Sequence, residues 1–244
     1  GQNAMFVDSS ALPEQVVHDA IFSAFNSAGQ RCSALRVLCV QEEIEPRTLE
    51  LLKGYMEELT IGDPRFLSTD VGPCIDDPSR QTLAAHVERM AKEQRVVHRC
   101  TLPEGAGAGT FFAPTLVEID DINALTEEQF GPILHVVKFK SRYLDKMVEA
   151  VNDTGFGLTM GLHSRIDSRV AGVAANSRAG NLYVNRNMIG AVVGVQPFGG
   201  RGLSGTGPKA GGPHYVQRFG TEFTLSNNIS AVGGNASLLT LGSD

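Results

Sequence analysis

Cys32 lies in a segment suited to covalent chemistry on a carbonyl group. A stretch with helical spacing runs from Pro13 and ends in Ala-Gly-Gln-Arg just before this cysteine, and an apolar run from Leu35 to Val40 follows it. A thiol between a helix and a strand can be held rigidly and still face a cleft. Attack on a carbonyl carbon needs a thiolate with a fixed direction and backbone N–H groups near the oxyanion. Cys32 is therefore the candidate nucleophile.

The other three cysteines lack such a setting. Cys39 alternates with apolar residues inside the predicted strand, which is typical of a core position, and nothing around Cys74 or Cys100 indicates chemistry. A buried structural role is also the simplest interpretation of Cys32 taken alone, because cysteine is among the residue types most often buried. The choice between the two roles therefore depends on the rest of the chain.

Three more motifs follow Cys32 along the chain. They are Glu128-Gln-Phe-Gly-Pro132, Asn181-Leu-Tyr-Val-Asn185, and Gln196-Pro-Phe-Gly-Gly200 with Leu203-Ser-Gly205 after it. Together with the segment that runs from Phe25 to Cys32, they resemble four motifs of the aldehyde dehydrogenase superfamily. They occur along the chain in the same order as in that family. This resemblance covers nearly the whole chain.

Two C-terminal segments narrow the resemblance within that family. The segment from Thr206 to Tyr215 resembles the corresponding segment of the family branch that oxidises L-glutamate γ-semialdehyde. The tail from Asn228 to Leu241 resembles the carboxyl terminus of the bifunctional bacterial members of that branch, which act in proline catabolism. The implied activity is NAD-dependent oxidation of the semialdehyde, formed from pyrroline-5-carboxylate, to glutamate.

The resemblance assigns a role to each of several residues. Cys32 would be the nucleophile, Glu128 and Phe130 would contact the nicotinamide end of NAD, and the substrate would be held by Ser33, Gly211, Gly212 and Phe219. Consecutive N–H groups in a glycine turn can indeed form an anion-binding concavity, and one carboxylate can bind two ribose hydroxyls. Without the resemblance, Glu128 would be a solvated carboxylate, the glycines an ordinary turn and Phe219 a core residue.

Composition limits the class of protein. The 244 residues are 42% hydrophobic and 20% charged, with a net charge of −6 and no basic run. This favours one large globular domain and argues against disorder and against nucleic-acid binding by this region. The sequence contains no apolar stretch that could span a bilayer. With neither a C-x-x-C pair nor an H-E-x-x-H motif, no metal site is expected.

Short apolar runs alternate with amphipathic helices. Strands are predicted over residues 4–8, 35–40, 95–99, 134–139, 158–163 and 180–185, with extended chain at 111–118, and helices from residue 13 and over 44–59, 78–94, 142–152 and 167–175. The pattern predicts an α/β fold with a doubly wound, largely parallel sheet. A segment dense in glycine, residues 186–213, follows and is called the Gly-rich loop. A last strand is predicted over 216–225. The predicted domains are 1–225, the catalytic domain, and 226–244, the tail.

The Gly-rich loop contains Gly200-Arg-Gly-Leu-Ser-Gly205, which fits the pattern G-x-G-x-x-G. Pro197 precedes it and Pro208 follows it, so no strand is expected before it and no helix after it. A dinucleotide fingerprint needs both. The pattern is therefore interpreted as part of a loop.

The first residues, Gly1-Gln-Asn3, resemble the end of the family motif E-x-G-G-x-N. The resemblance implies that the general-base glutamate, an oxyanion-hole asparagine and most of the NAD-binding domain precede residue 1, so that the chain alone is inactive. NAD is the expected cofactor, with FAD only in a proline dehydrogenase domain outside this chain. The expected partners are those two domains of the parent and further copies of it. The expected location is cytoplasmic, with the parent peripheral at the inner membrane.

Two other hypotheses stay open at this point. The chain could be a catalytically silent fragment that folds and self-associates through its tail. It could also be an NAD(P)-dependent aldehyde dehydrogenase of another specificity. Activity with the semialdehyde separates the first hypothesis from an enzyme, and dependence of binding on the substrate carboxylate separates the second.

Overall fold

The computed structural model describes residues 1–228, and a seven-stranded sheet forms its centre. The strand order is β3-β4-β5-β2-β1-β7-β8, in which β3 is antiparallel to β4 and every other neighbouring pair is parallel. A small second sheet pairs β6 with β9. The strands are β1 (Asn3–Val7), β2 (Leu35–Gln41), β3 (Arg95–Arg99), β4 (Thr115–Glu118), β5 (Ile133–Phe139), β6 (Phe156–Gly157), β7 (Thr159–His163), β8 (Asn181–Val184) and β9 (Arg201–Gly202).

Helices cover both faces of the large sheet. They are α1 (Pro13–Phe25), α2 (Glu45–Glu57), α3 (Asp77–Glu93), α4 (Leu144–Asp153) and α5 (Asp167–Asn176). The predicted α/β fold with a doubly wound, largely parallel sheet is confirmed. Each helix and strand predicted up to residue 185 is present, with boundaries shifted by no more than a few residues.

Two hydrophobic cores explain this layering. Side chains alternate between the faces of a strand, so in β1 Met5 and Val7 pack against α1 and α2, whereas Ala4 and Phe6 face the side of α3, α4 and α5. The strand is buried on both faces, as parallel strands usually are.

Local signals in the sequence start the helices. Pro13 and Pro46 lie in the first turn of α1 and α2, where their missing N–H costs no hydrogen bond. At α3 the carboxylate of Asp76 accepts a hydrogen bond from the backbone N–H of Ser79 at 2.8 Å, which is N-capping.

The amino ends of the parallel strands form one continuous edge of the sheet. The register pairs Asn3 with Leu35, Thr159 with Asn181, and Thr115 with Ile133, each at the start of its strand. The segments that precede these residues therefore lie side by side at this edge, which we call the amino edge. Cys32 and Phe130 each precede the first residue of a strand by three positions, and their strands, β2 and β5, are neighbours.

The prediction of a final strand over 216–225 is wrong. Residues Val216–Phe219 form a single 3-10 turn, and no strand follows it up to residue 228. The apolar side chains that suggested a strand, Val216, Phe219, Phe223 and Leu225, are all more than 70% exposed. An isolated strand has neither hydrogen-bond partners nor a buried face, and this segment pairs with no sheet edge in the described part of the chain. The predicted tail lies outside the described residues from 229 onward.

Candidate active site

A left-handed turn brings Cys32 to the surface. After α1, Ser27, Ala28 and Gly29 have φ values of 55°, 53° and 64°, a region that residues with a Cβ rarely occupy. We call residues 26–34, which contain this turn, the Cys32 loop. Cys32 is exposed, as expected for a nucleophile. Strained backbone of this kind is common at functional sites.

Asn3 holds the Cys32 loop from beneath. Its buried side-chain amide donates to the carbonyl oxygens of Cys32 at 2.7 Å and of Ala34 at 2.9 Å. The Thr159 hydroxyl donates to the carbonyl of Ser33 at 3.2 Å. The first residues of β1 and β7 therefore fix the backbone on both sides of the thiol.

A second loop, residues 127–132, lies against the first and is called the Glu128 loop. Gly29 and Gly131 meet there, since a Cβ on Gly29 would collide with the carbonyl of Gly131. The Glu128 side chain is 27% exposed and forms an ion pair with the amino group of Gly1. The Phe130 ring is 45% exposed. The structure thus brings the predicted nucleophile and the predicted nicotinamide contacts to neighbouring loops.

A buried arginine connects these two loops. Arg36, only 1% exposed, donates from Nη1 to the carbonyl of Gly131 at 2.9 Å and from Nη2 to the carbonyl of Arg31 at 3.3 Å. Its guanidinium carbon lies 5.3 Å from the centroid of the Phe130 ring, within cation–π range. Sequence analysis missed Arg36, although a charged residue inside an apolar strand was a usable signal.

The charge of Arg36 interacts with both the Cys32 thiol and the Glu128 carboxylate. Burial lowers its pKa to about 10, and attraction to Glu128 and Cys32 partly opposes that shift. The guanidinium stays charged at neutral pH. It is therefore a fixed positive charge beneath the thiol and the carboxylate.

The other three cysteines are buried and chemically disfavoured. Burial raises the pKa of Cys39 and of Cys74, and it raises the pKa of Cys100 to about 11. A buried thiol whose pKa is raised is a poor nucleophile. Cys39 lies in the core, as predicted from its place in β2.

The third and fourth motifs meet at the start of β8. The side-chain amide of Asn181 donates to the Pro197 carbonyl at 3.0 Å. The ammonium of Lys209 donates to the carbonyl of Gly180 and to Asn181 Oδ1. Phe198 and Ala210 exchange two backbone hydrogen bonds of 3.0 and 2.9 Å. Sequence analysis missed Lys209, which fastens the Gly-rich loop to the amino edge.

The predicted carboxylate anchor directly follows the β-bridge between Phe198 and Ala210. Gly211 has a φ of 69°, which favours glycine, and open space surrounds its Cα. The N–H of Gly212 donates to the Lys209 carbonyl at 3.0 Å. Within the described residues the N–H of Gly211 makes no hydrogen bond and so is the available donor of the two.

The remaining two predicted substrate contacts, Ser33 and Phe219, lie in different environments. Ser33 is only 6% exposed and lies beside Cys32 at the amino edge. Phe219 is 76% exposed, and its ring packs edge-on against Tyr215 with the centroids 5.4 Å apart. No hydrogen bond or ring contact between described residues joins Phe219 to the Cys32 loop. Its role in a substrate pocket therefore stays a prediction.

Two buried histidines lie behind the site. Nε2 of His86 and Nε2 of His135 are 2.9 Å apart, and Nδ1 of His135 lies 3.0 Å from the Arg36 carbonyl oxygen. That oxygen can only accept, so Nδ1 of His135 carries its proton, and Nε2 of His86 must donate to Nε2 of His135. Burial lowers the pKa of His86 to about 4 and of His135 to about 3.

Residues 1–228 show neither a metal-binding cluster nor a membrane-spanning helix. No group of three or more His, Cys, Asp or Glu side chains in that range is arranged to hold a metal ion. None of the helices described there is long and apolar enough to cross a membrane.

Comparison with known proteins identifies the family. The model of the aldehyde dehydrogenase family matches residues 1–223, and the chain belongs to this family. It is 55% identical over 224 residues to the bifunctional protein PutA of Klebsiella aerogenes, covering 90% of this chain and 17% of that protein.

Solved structures agree in fold. A crystal structure of bifunctional proline utilization A superimposes with a TM-score of 0.90 and 54% identity, covering 96% of this chain and 24% of that one. A 1-pyrroline-5-carboxylate dehydrogenase from Thermus with bound NAD superimposes with a TM-score of 0.82 and 33% identity. The match covers 90% of this chain and 42% of that one. The chain spans less than half the length of each of these relatives.

Proposed function

We propose that this chain carries the catalytic part of an L-glutamate γ-semialdehyde dehydrogenase, the activity that produces glutamate in proline catabolism. One observation carries the proposal: the exposed Cys32 thiol lies beside the Glu128 loop at the amino edge, with both loops bound by Arg36. The names of the relatives, bifunctional PutA and 1-pyrroline-5-carboxylate dehydrogenase, support this substrate.

The Cys32 thiolate attacks the aldehyde carbon, and the carbonyl electrons move to oxygen to give a thiohemiacetal. The backbone N–H of Cys32 stabilises this oxyanion. Loss of hydride from the same carbon leaves a thioester on Cys32. Water then adds to the thioester, and glutamate leaves as the thiol is restored. Asn3 and Thr159 keep the attacking sulfur in place, since they hold the backbone carbonyls of Cys32 and Ser33.

The residues of the Glu128 loop fit the nicotinamide end of NAD. Glu128 forms an ion pair with the amino group of Gly1 but accepts no side-chain or backbone hydrogen bond from the described residues, so its carboxylate retains acceptor capacity for two ribose hydroxyls. The exposed Phe130 ring offers an apolar surface beside it. When bound, NAD accepts the hydride.

The Gly-rich loop is proposed to select the substrate by its carboxylate. The N–H of Gly211, which makes no hydrogen bond to residues 1–228, is the donor, and the positive charge of Lys209 lies in the same loop. Gly212 and Ser33 would add donors only after local rearrangement, because the Gly212 N–H is engaged and Ser33 is buried. Phe219 would close the pocket as its aromatic wall.

Gly211→Val in the full-length protein tests this assignment. Kinetics are measured with glutamate semialdehyde and with propionaldehyde, and we expect a loss of about 10- to 10²-fold in kcat/KM for the first substrate only, as for one charge-assisted hydrogen bond. The matched control is Gly190→Val, another open position of positive φ, in the loop after the carboxyl end of β8. An equal loss on both substrates for Gly211→Val would leave the enzyme as an aldehyde dehydrogenase of other specificity.

The proposal extends to the surroundings of the chain. The remaining NAD-binding residues and an FAD-dependent proline dehydrogenase domain belong to the parent protein outside this chain, and the parent is a homo-oligomer in the cytoplasm, peripheral at the inner membrane. The bifunctional relatives, of which this chain covers a small part, support the presence of further domains in the parent. Gel filtration and activity of the full-length protein with proline test the assembly.

A further inference from the structure

We propose that Arg36 is a positioning residue that couples the nucleophile to the nicotinamide site, so that the Cys32 loop and the Glu128 loop keep one relative geometry. The inference rests on the proposed function, since it assigns the two loops the roles given there. It goes further by naming a buried side chain that touches neither substrate nor cofactor.

The contacts of Arg36 are divided between the two loops. One guanidinium nitrogen binds the Arg31 carbonyl, directly before Cys32, and the other binds the Gly131 carbonyl, directly after Phe130. The planar guanidinium sets the distance between those two carbonyls, because its donors have a fixed fork geometry. A lysine ammonium, a point charge on a flexible stem, cannot set that distance.

Packing makes the coupling rigid. Gly29 of the Cys32 loop and Gly131 of the Glu128 loop are in backbone contact, so neither loop can move toward the other. The Phe130 ring covers the guanidinium on one side. His135 contacts the Arg36 carbonyl oxygen and fixes the backbone from which the side chain extends.

Burial of this charge indicates a role beyond simple stability. A buried arginine is costly to desolvate, and well-packed apolar residues often replace such groups without loss. Nε of Arg36 is also buried without a hydrogen-bond partner in the described part of the chain. An apolar residue in place of Arg36 in β2 would therefore give equal or greater stability if holding the sheet together were the only requirement.

The test uses Arg36→Lys in the full-length protein, with rates divided by the amount of Cys32 titrated. A purely structural defect lowers the number of active molecules but leaves the rate per titrated thiol and KM unchanged. We expect the rate per thiol to fall about 10- to 100-fold and KM for NAD to rise about tenfold, because one of two charge-assisted bonds is lost.

The matched control is Arg169→Lys. Arg169 also divides its guanidinium among several partners, but at the opposite edge of the sheet: Gln41 Oε1 at 3.0 Å, Ser141 Oγ at 2.7 Å and, as an ion pair, the Asp8 carboxylate at 3.5 Å. We expect no change in the rate per titrated thiol or in KM for NAD in this variant. Equal changes of these two quantities in both variants, or values within twofold of wild type for Arg36→Lys, would overturn the proposal.

Hydrogen exchange on the wild-type protein keeps the proposal testable should Arg36→Lys fail to fold. The amides of Ala34 and Gly131 make short-range hydrogen bonds inside their own loops, at 3.1 and 3.0 Å. Coupled loops open as one cooperative unit, so the two amides should show the same opening free energy. Protection that differs by more than about tenfold would overturn the coupling. Wild-type protein that binds NAD but does not oxidise glutamate semialdehyde would refute the proposed function and leave this test valid.

Discussion

The side-chain amide of Asn3 donates a 2.7 Å hydrogen bond to the carbonyl oxygen of Cys32. Asn3 is the first residue of β1, and Cys32 lies in the loop before the neighbouring strand β2. The bond is formed beneath the exposed thiol of Cys32. The sulfur is therefore accessible while its backbone is fixed from the interior of the sheet. Accessibility and rigidity are separate requirements for a nucleophile, and Cys32, the proposed nucleophile, combines the two.

Brief treatment of the purified chain with iodoacetamide should label Cys32 first. The other three cysteines are buried and the pKa of each is raised, so both access and thiolate content disfavour them. Mass spectrometry of peptides after partial reaction measures the order of labelling. Earlier labelling of Cys39 would contradict the assignment of the nucleophile.

Gly29→Ala should destabilise the chain by about 2–4 kcal/mol, combining left-handed strain with a steric collision. The φ of Gly29 is 64°, and the added methyl would meet the Gly131 carbonyl. Urea denaturation measures the free energy of unfolding. Gly54→Ala is the control, since this helical glycine has nothing within 4 Å of an added Cβ, and alanine there should stabilise by about 0.5–1 kcal/mol. Similar effects of the two substitutions would show that the loops do not meet as described.

The free energy of unfolding should fall as the pH decreases from about 6.5 toward 4. Burial lowers the pKa of both His86 and His135 in the folded state, so below their ordinary value the unfolded chain binds more protons. Their stabilising contribution is complete above pH 6.5 and is lost toward their folded pKa values. Each histidine contributes up to about 1.4 kcal/mol per pH unit in this window.

His86→Gln tests that pH dependence, because glutamine can still donate to His135 but does not titrate. Urea midpoints between pH 5 and 7.5 should show a shallower slope than in the wild type. His18→Gln serves as the control, since His18 lies on the surface of α1, where Nδ1 contacts the Tyr55 hydroxyl at 3.0 Å. An unchanged slope in His86→Gln would exclude this pair as its source.

Lys209→Met should impair selection of the substrate carboxylate more than oxidation of a simple aldehyde. Lys209 binds the carbonyl of Gly180 and Asn181 Oδ1, and its loss would release the turn that carries Gly211. We expect kcat/KM of the full-length protein for glutamate semialdehyde to fall about tenfold or more, with propionaldehyde affected less. Lys140→Met, at a surface position after β5, is the control. Equal losses on the two substrates would assign Lys209 to folding alone.

The regular elements could be predicted because their signals are local. The apolar spacing from Pro13 and the run from Leu35 to Val40 were sufficient to place α1 and β2. The segment from Val216 onward was mistaken for a strand because its composition is apolar, whereas a strand also requires a neighbour at a sheet edge. Composition contains no information about that neighbour.

For the candidate site, the sequence indicates the residues proposed to do chemistry but not those that hold them in place. Cys32 and Glu128 lie in motifs that resemble a family, but Asn3, Arg36 and Lys209 act through contacts with residues distant in sequence. Such contacts follow from strand register, which pairs Asn3 with Leu35 and brings the start of each strand to one edge. The order of strands in the sheet cannot be obtained from local patterns.

The distribution of the site along the amino edge has an evolutionary consequence. Cys32 precedes β2, near the middle of the sheet, whereas the Gly-rich loop is fastened to β8, the outermost strand on its side. Changes in residues 196–219 can therefore accumulate without disturbing the strands next to Cys32, the proposed nucleophile. Descendants of one ancestral enzyme could acquire new substrates through this peripheral segment while inheriting the same covalent chemistry from the centre.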